Sequence, residues 1–180
     1  MKARPFVVLF SAILLVVLGV SFAVAQKTGE ATPPKEGLLS SADTVKILPD
    51  KVFFRGQSAT VQTRNSGGVR YSDDFLVLAA LVDASGYASG LKEKYQGYLI
   101  TEVPIEIGGK TLKPGAYGFG FVENNKLVVM DLGANDLFQV TSTKDADLKR
   151  PVPLQIVAGS GAGSYKLYKG RDYVEFHRPK

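Results

Sequence analysis

The chain has no cysteine, no tryptophan, two methionines and one histidine, His177, in 180 residues. Without cysteine it can form no disulfide, thiol nucleophile, zinc–thiolate site or iron–sulfur cluster. A Ser–His–acid triad would have to use His177, which lies in an alternating run typical of an ordinary β-strand. A zinc site would need oxygen ligands beside this one imidazole. We therefore expect no catalytic residue, no metal site and no cofactor.

The chain also has little excess charge of either sign, since its 22 Lys and Arg residues are nearly balanced by 17 Asp and Glu residues, which gives a net charge of +5. The basic residues are interspersed with acids, as in the run KDADLKR at residues 144–150. Nucleic-acid binders carry clustered basic stripes. We expect a solvated charged surface and no nucleic-acid partner.

The N-terminus carries the pattern of a secretory signal peptide. Lys2 and Arg4 precede an apolar run over residues 6–24, and the small residues Ala23 and Ala25 mark a cleavage site. We predict a signal peptide over residues 1–25, cleavage near Ala25, and a periplasmic or secreted protein that touches the membrane only through this segment. The alternative is an uncleaved anchor, because the run approaches the roughly 20 residues of a spanning helix.

The remaining chain suits a linker and one domain. Residues 26–37 include two adjacent prolines and show no apolar periodicity, which predicts an extended linker. Residues 38–180 are long enough for a single domain with a sizeable core. A short N-terminal helix is predicted over residues 38–48, capped by Ser40 or Ser41.

From residue 51 onward, short β-branched and aromatic runs alternate with turns, giving about nine or ten strands. This pattern predicts an all-β fold, a mostly antiparallel β-sandwich with a barrel as the alternative. Residues 75–82 are apolar without alternation, which predicts a central strand. Residues 65–68, Asn-Ser-Gly-Gly, are typical of a hairpin turn. Residues 98–107 alternate, and Pro104 places that strand at an edge or a bulge.

Residues 83–94 predict a long loop with a helical turn. Loops on a rigid scaffold often carry function, and tyrosines suit contacts with proteins or sugars. We therefore expect residues 85–97 to contact a protein or glycan of the envelope, with Tyr87 and Tyr95 as candidate ligand-binding residues. Tyrosine is also favoured in ordinary strands, which is the simpler interpretation.

The run GGKTLKPGAY, residues 108–117, places Gly-Gly and Pro-Gly turns on either side of a short strand, and another strand begins at once. Gly118 and Gly120 share one face of that strand, which permits either close approach of a second backbone or the floor of a ligand groove. The aromatic residues of the opposite face would fill a core or, in a barrel, line an apolar cavity; they are Tyr117, Phe119 and Phe121.

The hairpin resembles that of uncharacterised secreted bacterial β-sandwich proteins, grouped as domains of unknown function, with the pattern GGK-x-L-x-PG-x-Y. The similarity is strongest over residues 105–122 and extends more loosely over residues 52–177. It implies a β-sandwich and an envelope location but no activity. We expect an exported, non-catalytic binding or structural protein; the alternatives are a carrier of a small apolar ligand inside a β-barrel and a carboxylate-based hydrolase.

Overall fold

The computed structural model describes residues 37–180, so the predicted signal peptide and all of the predicted linker except Gly37 lie outside the described residues. The elements in chain order are β1 (Gly37–Leu39), α1 (Ser41–Thr44), β2 (Lys51–Phe54), β3 (Gln57–Arg70), β4 (Leu76–Asp83), α2 (Ser89–Lys92), β5 (Gly97–Thr101), β6 (Ile105–Ile107), β7 (Lys110–Leu112), β8 (Gly115–Val122), β9 (Lys126–Met130), β10 (Asp136–Thr141), β11 (Thr143–Lys144), β12 (Gln155–Ala158), β13 (Ser164–Lys169) and β14 (Asp172–His177).

The strands form two antiparallel sheets. The large sheet has the order β1-β3-β4-β5-β8-β9-β10, with β2 also paired to β3, and the small sheet has the order β12-β13-β14-β6-β7, with β11 also paired to β14. Both sheets run between open edges and neither closes on itself. The predicted all-β antiparallel sandwich is therefore confirmed, and its barrel alternative is not the architecture of residues 37–180.

Apolar side chains of both sheets meet in a core between them. This inter-sheet core includes Val69, Val77, Leu99, Phe119 and Val129 of the large sheet and Ile105, Ile107, Ile156, Leu167 and Phe176 of the small sheet. The outer face of the large sheet is also covered, by the chain after α1, by β2 and by the chain before β5, which supply Leu48, Val52, Phe54, Tyr87 and Tyr95 to a second core that includes Leu39 of β1. Both faces of β4 are thus buried, as its unalternating sequence predicted.

The chain crosses between the sheets at Pro104. Residues 98–107, predicted as one strand, divide into β5 of the large sheet and β6 of the small sheet. Proline has no N–H to donate to a ladder, so the pairing of β5 ends before it and the chain turns into the other sheet. The predicted Gly108-Gly109 turn then joins β6 to β7, and both glycines have positive φ, 54° and 77°.

The predicted turn at residues 65–68 is wrong. These residues continue β3, whose register against β4 shifts between Gln62 and Ser66. A Cβ on Gly68 would lie 2.9 Å from the carbonyl oxygen of Val77. The glycine allows a neighbouring strand to approach closely, and this use has the same sequence signature as a turn.

The predicted N-terminal helix is present but shorter than residues 38–48. The chain enters it from β1, and the Asp43 carboxylate accepts hydrogen bonds from the backbone N–H of Ser40 (2.9 Å) and the Ser40 hydroxyl (2.7 Å). The buried Thr44 and Ser66 hydroxyls are 2.6 Å apart and fasten α1 to β3. The predicted helical turn within residues 83–94 is α2. Neither helix of residues 37–180 is long and apolar enough to span a membrane.

Candidate functional site

Tyr87 and Tyr95, expected to contact a partner, lie in the interior instead. Tyr95 is fully buried and Tyr87 is 7% exposed. The Tyr95 ring stacks on Phe54 with centroids 3.7 Å apart, and Tyr87 meets it edge-on at 5.2 Å. Burial raises the pKa of both phenols. Their rings cover the apolar outer face of the large sheet and so stabilise the fold.

Tyr117, Phe119 and Phe121 belong to the inter-sheet core. Phe119 is fully buried and meets Phe121 in an edge-on contact at 6.4 Å. Tyr117 is half-buried, and its hydroxyl donates to the carbonyl of Lys113 at 2.9 Å. These aromatics fill the core, which was the simpler of the two predicted roles.

Gly118 and Gly120 allow the chain before β5 to lie directly on β8. A Cβ on Gly118 would be 2.5 Å from a ring carbon of Phe54. A Cβ on Gly120 would meet the carbonyl oxygen of Lys94 and lie 2.7 Å from its carbonyl carbon. The prediction of close backbone approach is confirmed at Gly120.

A groove of about 650 Å³, which we call the polar groove, lies beside this contact. One wall is the segment 90–96, and the other comes from the β8–β9 hairpin and β10. Its apolar lining is Phe121, Val122 and Val128, and its polar lining is Glu93, Lys94, Gln96, Glu123, Asn124, Lys126 and Gln139. The groove therefore presents carboxylate, ammonium and amide groups beside an apolar floor.

Side-chain hydrogen bonds fix the segment wall. The Gln96 amide nitrogen donates to the carbonyls of Glu93 (2.7 Å) and Phe121 (3.0 Å), while its oxygen accepts the Phe121 N–H at 3.0 Å. The Lys94 ammonium lies 2.7 Å from the Asp136 carboxylate on β10. The segment is thus bonded to both β8 and β10, which holds this wall of the groove in place.

The segment expected to contact a partner, residues 85–97, overlaps one wall of the polar groove. Residues 85–97 were expected to contact a partner, and the groove is lined by Lys94 and Gln96 rather than Tyr95. The apolar residue between two polar ones is the one that turns inward, so Lys94-Tyr95-Gln96 carried a usable signal. The contribution of the β8–β9 hairpin depends on a long-range contact with no local signature.

Two other groups of polar residues, His177 and the acids at residues 73 and 74, lie outside the polar groove. His177 is exposed on the outer face of the small sheet, opposite Glu106, and so lies on the other side of the sandwich from the polar groove. The adjacent acids Asp73 and Asp74 lie in a turn between β3 and β4: Asp74 has a φ of 66°, and Asp73 accepts a 2.6 Å hydrogen bond from Arg178. No group of three or more potential metal ligands occurs within residues 37–180.

Several carboxyl groups have a lowered pKa because hydrogen bonds stabilise their charged form. The Asn135 side chain is the main donor to Asp131, and the Ser164 hydroxyl is the main donor to Glu175. Within residues 37–180 the carboxyl groups with a lowered pKa are those of Asp43, Asp73, Asp83, Asp131, Asp145 and Glu175. A general acid working at neutral pH needs a raised pKa instead. The lowered pKa values are those of carboxylates that accept hydrogen bonds and so stabilise the local chain conformation.

Comparison with known proteins identifies no relative from which a function could be inferred. The chain matches no protein-family model, no curated protein and no solved structure. The resemblance of the 108–117 hairpin to uncharacterised secreted proteins therefore stays a prediction. The polar groove is the feature from which a function can be argued.

Proposed function

We propose that the protein is an exported, non-catalytic binding protein of the bacterial envelope, and that the polar groove holds a peptide segment of a partner protein. The carrying observation is the groove itself, which is lined by side chains of both charges, by amides and by apolar residues, and whose segment wall is held by hydrogen bonds to β8 and an ion pair to β10. Its volume of about 650 Å³ lies within the range usual for ligand sites.

The chemistry of the lining favours a peptide over a sugar. A peptide offers backbone N–H and C=O groups to amides such as Asn124 and Gln139, and its charged side chains can pair with Glu123 or Lys126. Sugar sites usually present an aromatic face, whereas Phe121, the only aromatic residue of this lining, packs its side chain into the inter-sheet core and is 8% exposed. The groove therefore lacks a stacking surface.

The non-catalytic part of the proposal rests on the acids of the groove. Glu93 and Glu123 are exposed, whereas burial is the usual means of tuning a catalytic carboxyl group. Export is supported by the charged start, apolar run and A-x-A end of residues 1–25. The alternative of an apolar-ligand carrier gains no support from Phe119 and Phe121, which fill the core.

Site-specific photocrosslinking tests the proposal. A photoreactive residue replaces Asn124 or Glu93 in the groove and, as a matched control, exposed Thr111 on the small sheet. We expect both groove positions, and not the control, to yield an adduct with the same envelope protein in living cells. Lys126→Ala should weaken that adduct without changing the unfolding midpoint.

Two results would reject the peptide partner. Equal adducts at Thr111 and at the groove positions would show that the groove has no special affinity. Adducts that survive protease treatment of the captured material but disappear after glycan-degrading treatment would identify a glycan.

A further inference from the structure

The edge strands of the two sheets differ in how well they resist pairing with another chain. Strands β1, β2, β7, β11 and β12 have two to four residues each. Three of them carry a lysine, and β12 follows closely on two prolines. Short edges, lysines and prolines are the usual protection against edge-to-edge pairing. Edge strand β10 has six residues, Asp-Leu-Phe-Gln-Val-Thr, with no lysine, arginine or proline.

One side of β10 is open. It pairs only with β9 among the strands of residues 37–180, and its Leu137 side chain is 46% exposed. Ser142, just after the strand, donates its N–H back to Asn125 at the end of the β8–β9 turn. Backbone groups alternate in direction along an antiparallel strand, so the N–H and C=O of Thr141 and Gln139 point away from β9. These groups are positioned to pair with another strand.

The strand is complementary to itself in one register. Phe138 and Val140 face the inter-sheet core, whereas Gln139 lines the polar groove on the opposite face. Antiparallel pairing about a twofold axis at Gln139 places Phe138 opposite Val140 of the second copy, so apolar side chains stay on one face. The only charged residue, Asp136, then lies at opposite ends of the joined strands, whereas parallel pairing would bring the two carboxylates together.

We infer that β10 pairs antiparallel with β10 of a second copy of this chain, with Gln139 at the twofold axis, and joins the two large sheets into one. The axis is perpendicular to the sheet, so both polar grooves open on the same side. The exposed Leu137 lies at the register shift between Asp136 and Phe138. In the proposed dimer it lies opposite Thr141 of the second copy, at the end of the β10–β10 pairing. This dimer does not depend on what the groove binds.

Cysteine crosslinking tests the register, because the natural chain contains no cysteine. The full chain is expressed and its exported product purified. In Gln139→Cys the two cysteines of a dimer face each other with Cα atoms about 5.5 Å apart, within disulfide reach. In Thr141→Cys, the control on the same strand, they are separated by four residues, about 14 Å. We expect rapid disulfide dimers from Gln139→Cys only.

Light scattering during gel filtration tests the association itself. We expect the unsubstituted protein to be a dimer, and Leu137→Lys to raise its dissociation constant about tenfold or more by adding a charge at the joint. Val152→Lys places the same charge on a side chain of similar exposure, 41%, outside β10, and should leave the dimer intact. Circular dichroism checks that both variants are folded.

A monomeric unsubstituted protein would overturn the inference, as would equal crosslinking of Gln139→Cys and Thr141→Cys. A dimer that survives Leu137→Lys, together with a Gln139→Cys variant that forms no disulfide, would place the contact on another surface, which also rejects β10.

Discussion

Gly120→Ala should destabilise the protein strongly, although it adds one methyl group. The new Cβ would lie 2.7 Å from the carbonyl carbon of Lys94, so the obstacle is backbone and cannot rotate away. Overpacking of this kind costs about 1–3 kcal/mol. Moving Lys94 also disturbs the neighbouring Tyr95 packing and the Gln96 hydrogen bonds to Phe121.

We therefore expect a loss near the upper end, about 3 kcal/mol, which corresponds to a fall in Tm of about 6–12 °C for a domain of this size. The assay is urea unfolding followed by the fluorescence of the eight tyrosines, since the chain has no tryptophan. An unchanged m value would show that the loss is one of stability rather than of two-state behaviour.

Gly90→Ala is the matched control. Gly90 lies in α2, and a Cβ there would meet nothing within 4 Å. Alanine removes backbone freedom from the unfolded chain, so this variant should gain about 0.4–1 kcal/mol. If Gly120→Ala instead unfolds within about 0.5 kcal/mol of the natural protein, the range usual for uninvolved surface positions, the packing argument at β8 is wrong.

Two further predictions concern the buried tyrosines. The Tyr95 hydroxyl is buried without a hydrogen-bond partner among the described residues, so Tyr95→Phe should gain about 1 kcal/mol. Tyr87→Phe, which loses a 2.9 Å hydrogen bond to the Phe54 carbonyl, should cost about 1 kcal/mol; urea unfolding in which both variants shift the same way would contradict this contrast. Burial, together with a hydrogen bond to Asp145, raises the pKa of Tyr168 to about 12, so the neutral phenol is favoured in the fold. The resulting stabilisation is fully present below the unfolded pKa of about 10 and is lost as the pH rises through 12. The free energy of unfolding, measured by urea titration between pH 10 and 12, should fall less steeply with pH in Tyr168→Phe than in the natural protein. An unchanged slope would refute the raised pKa of Tyr168.

Local patterns predicted the strands well where one physical cause dominates. The Gly108-Gly109 turn follows from positive φ, and the central position of β4 follows from its apolar run. The glycines within residues 65–68 fit either a turn or close packing of strands, and the sequence does not distinguish these uses. Pro104 fits either an edge strand or a crossing between sheets, and the same ambiguity applies.

The candidate site was harder to predict than the fold, because its walls are distant in sequence. Tyr87 and Tyr95 suggested a binding surface by residue type, yet the outer face of the large sheet has an apolar surface that these rings cover. Which tyrosine turns inward depends on that face, and the face exists only after β3, β4, β5, β8 and β9 have assembled. The sequence indicates that residues 85–97 form a polar segment beside the sheet. Only the tertiary fold shows that Lys94 and Gln96 of this segment line the groove.

The position of β14 in the small sheet determines when the protein can finish folding. This strand lies between β13 and β6, with Phe176 paired to Ile107, although seven strands, β7 to β13, separate β6 from β14 along the chain. During synthesis β6 and β7 emerge long before the strand that completes their sheet, so the inter-sheet core cannot close until β14 is available. Such non-local pairing folds slowly. A chain that stays open until β14 is available suits the proposed export, because it can be threaded through a membrane before it folds.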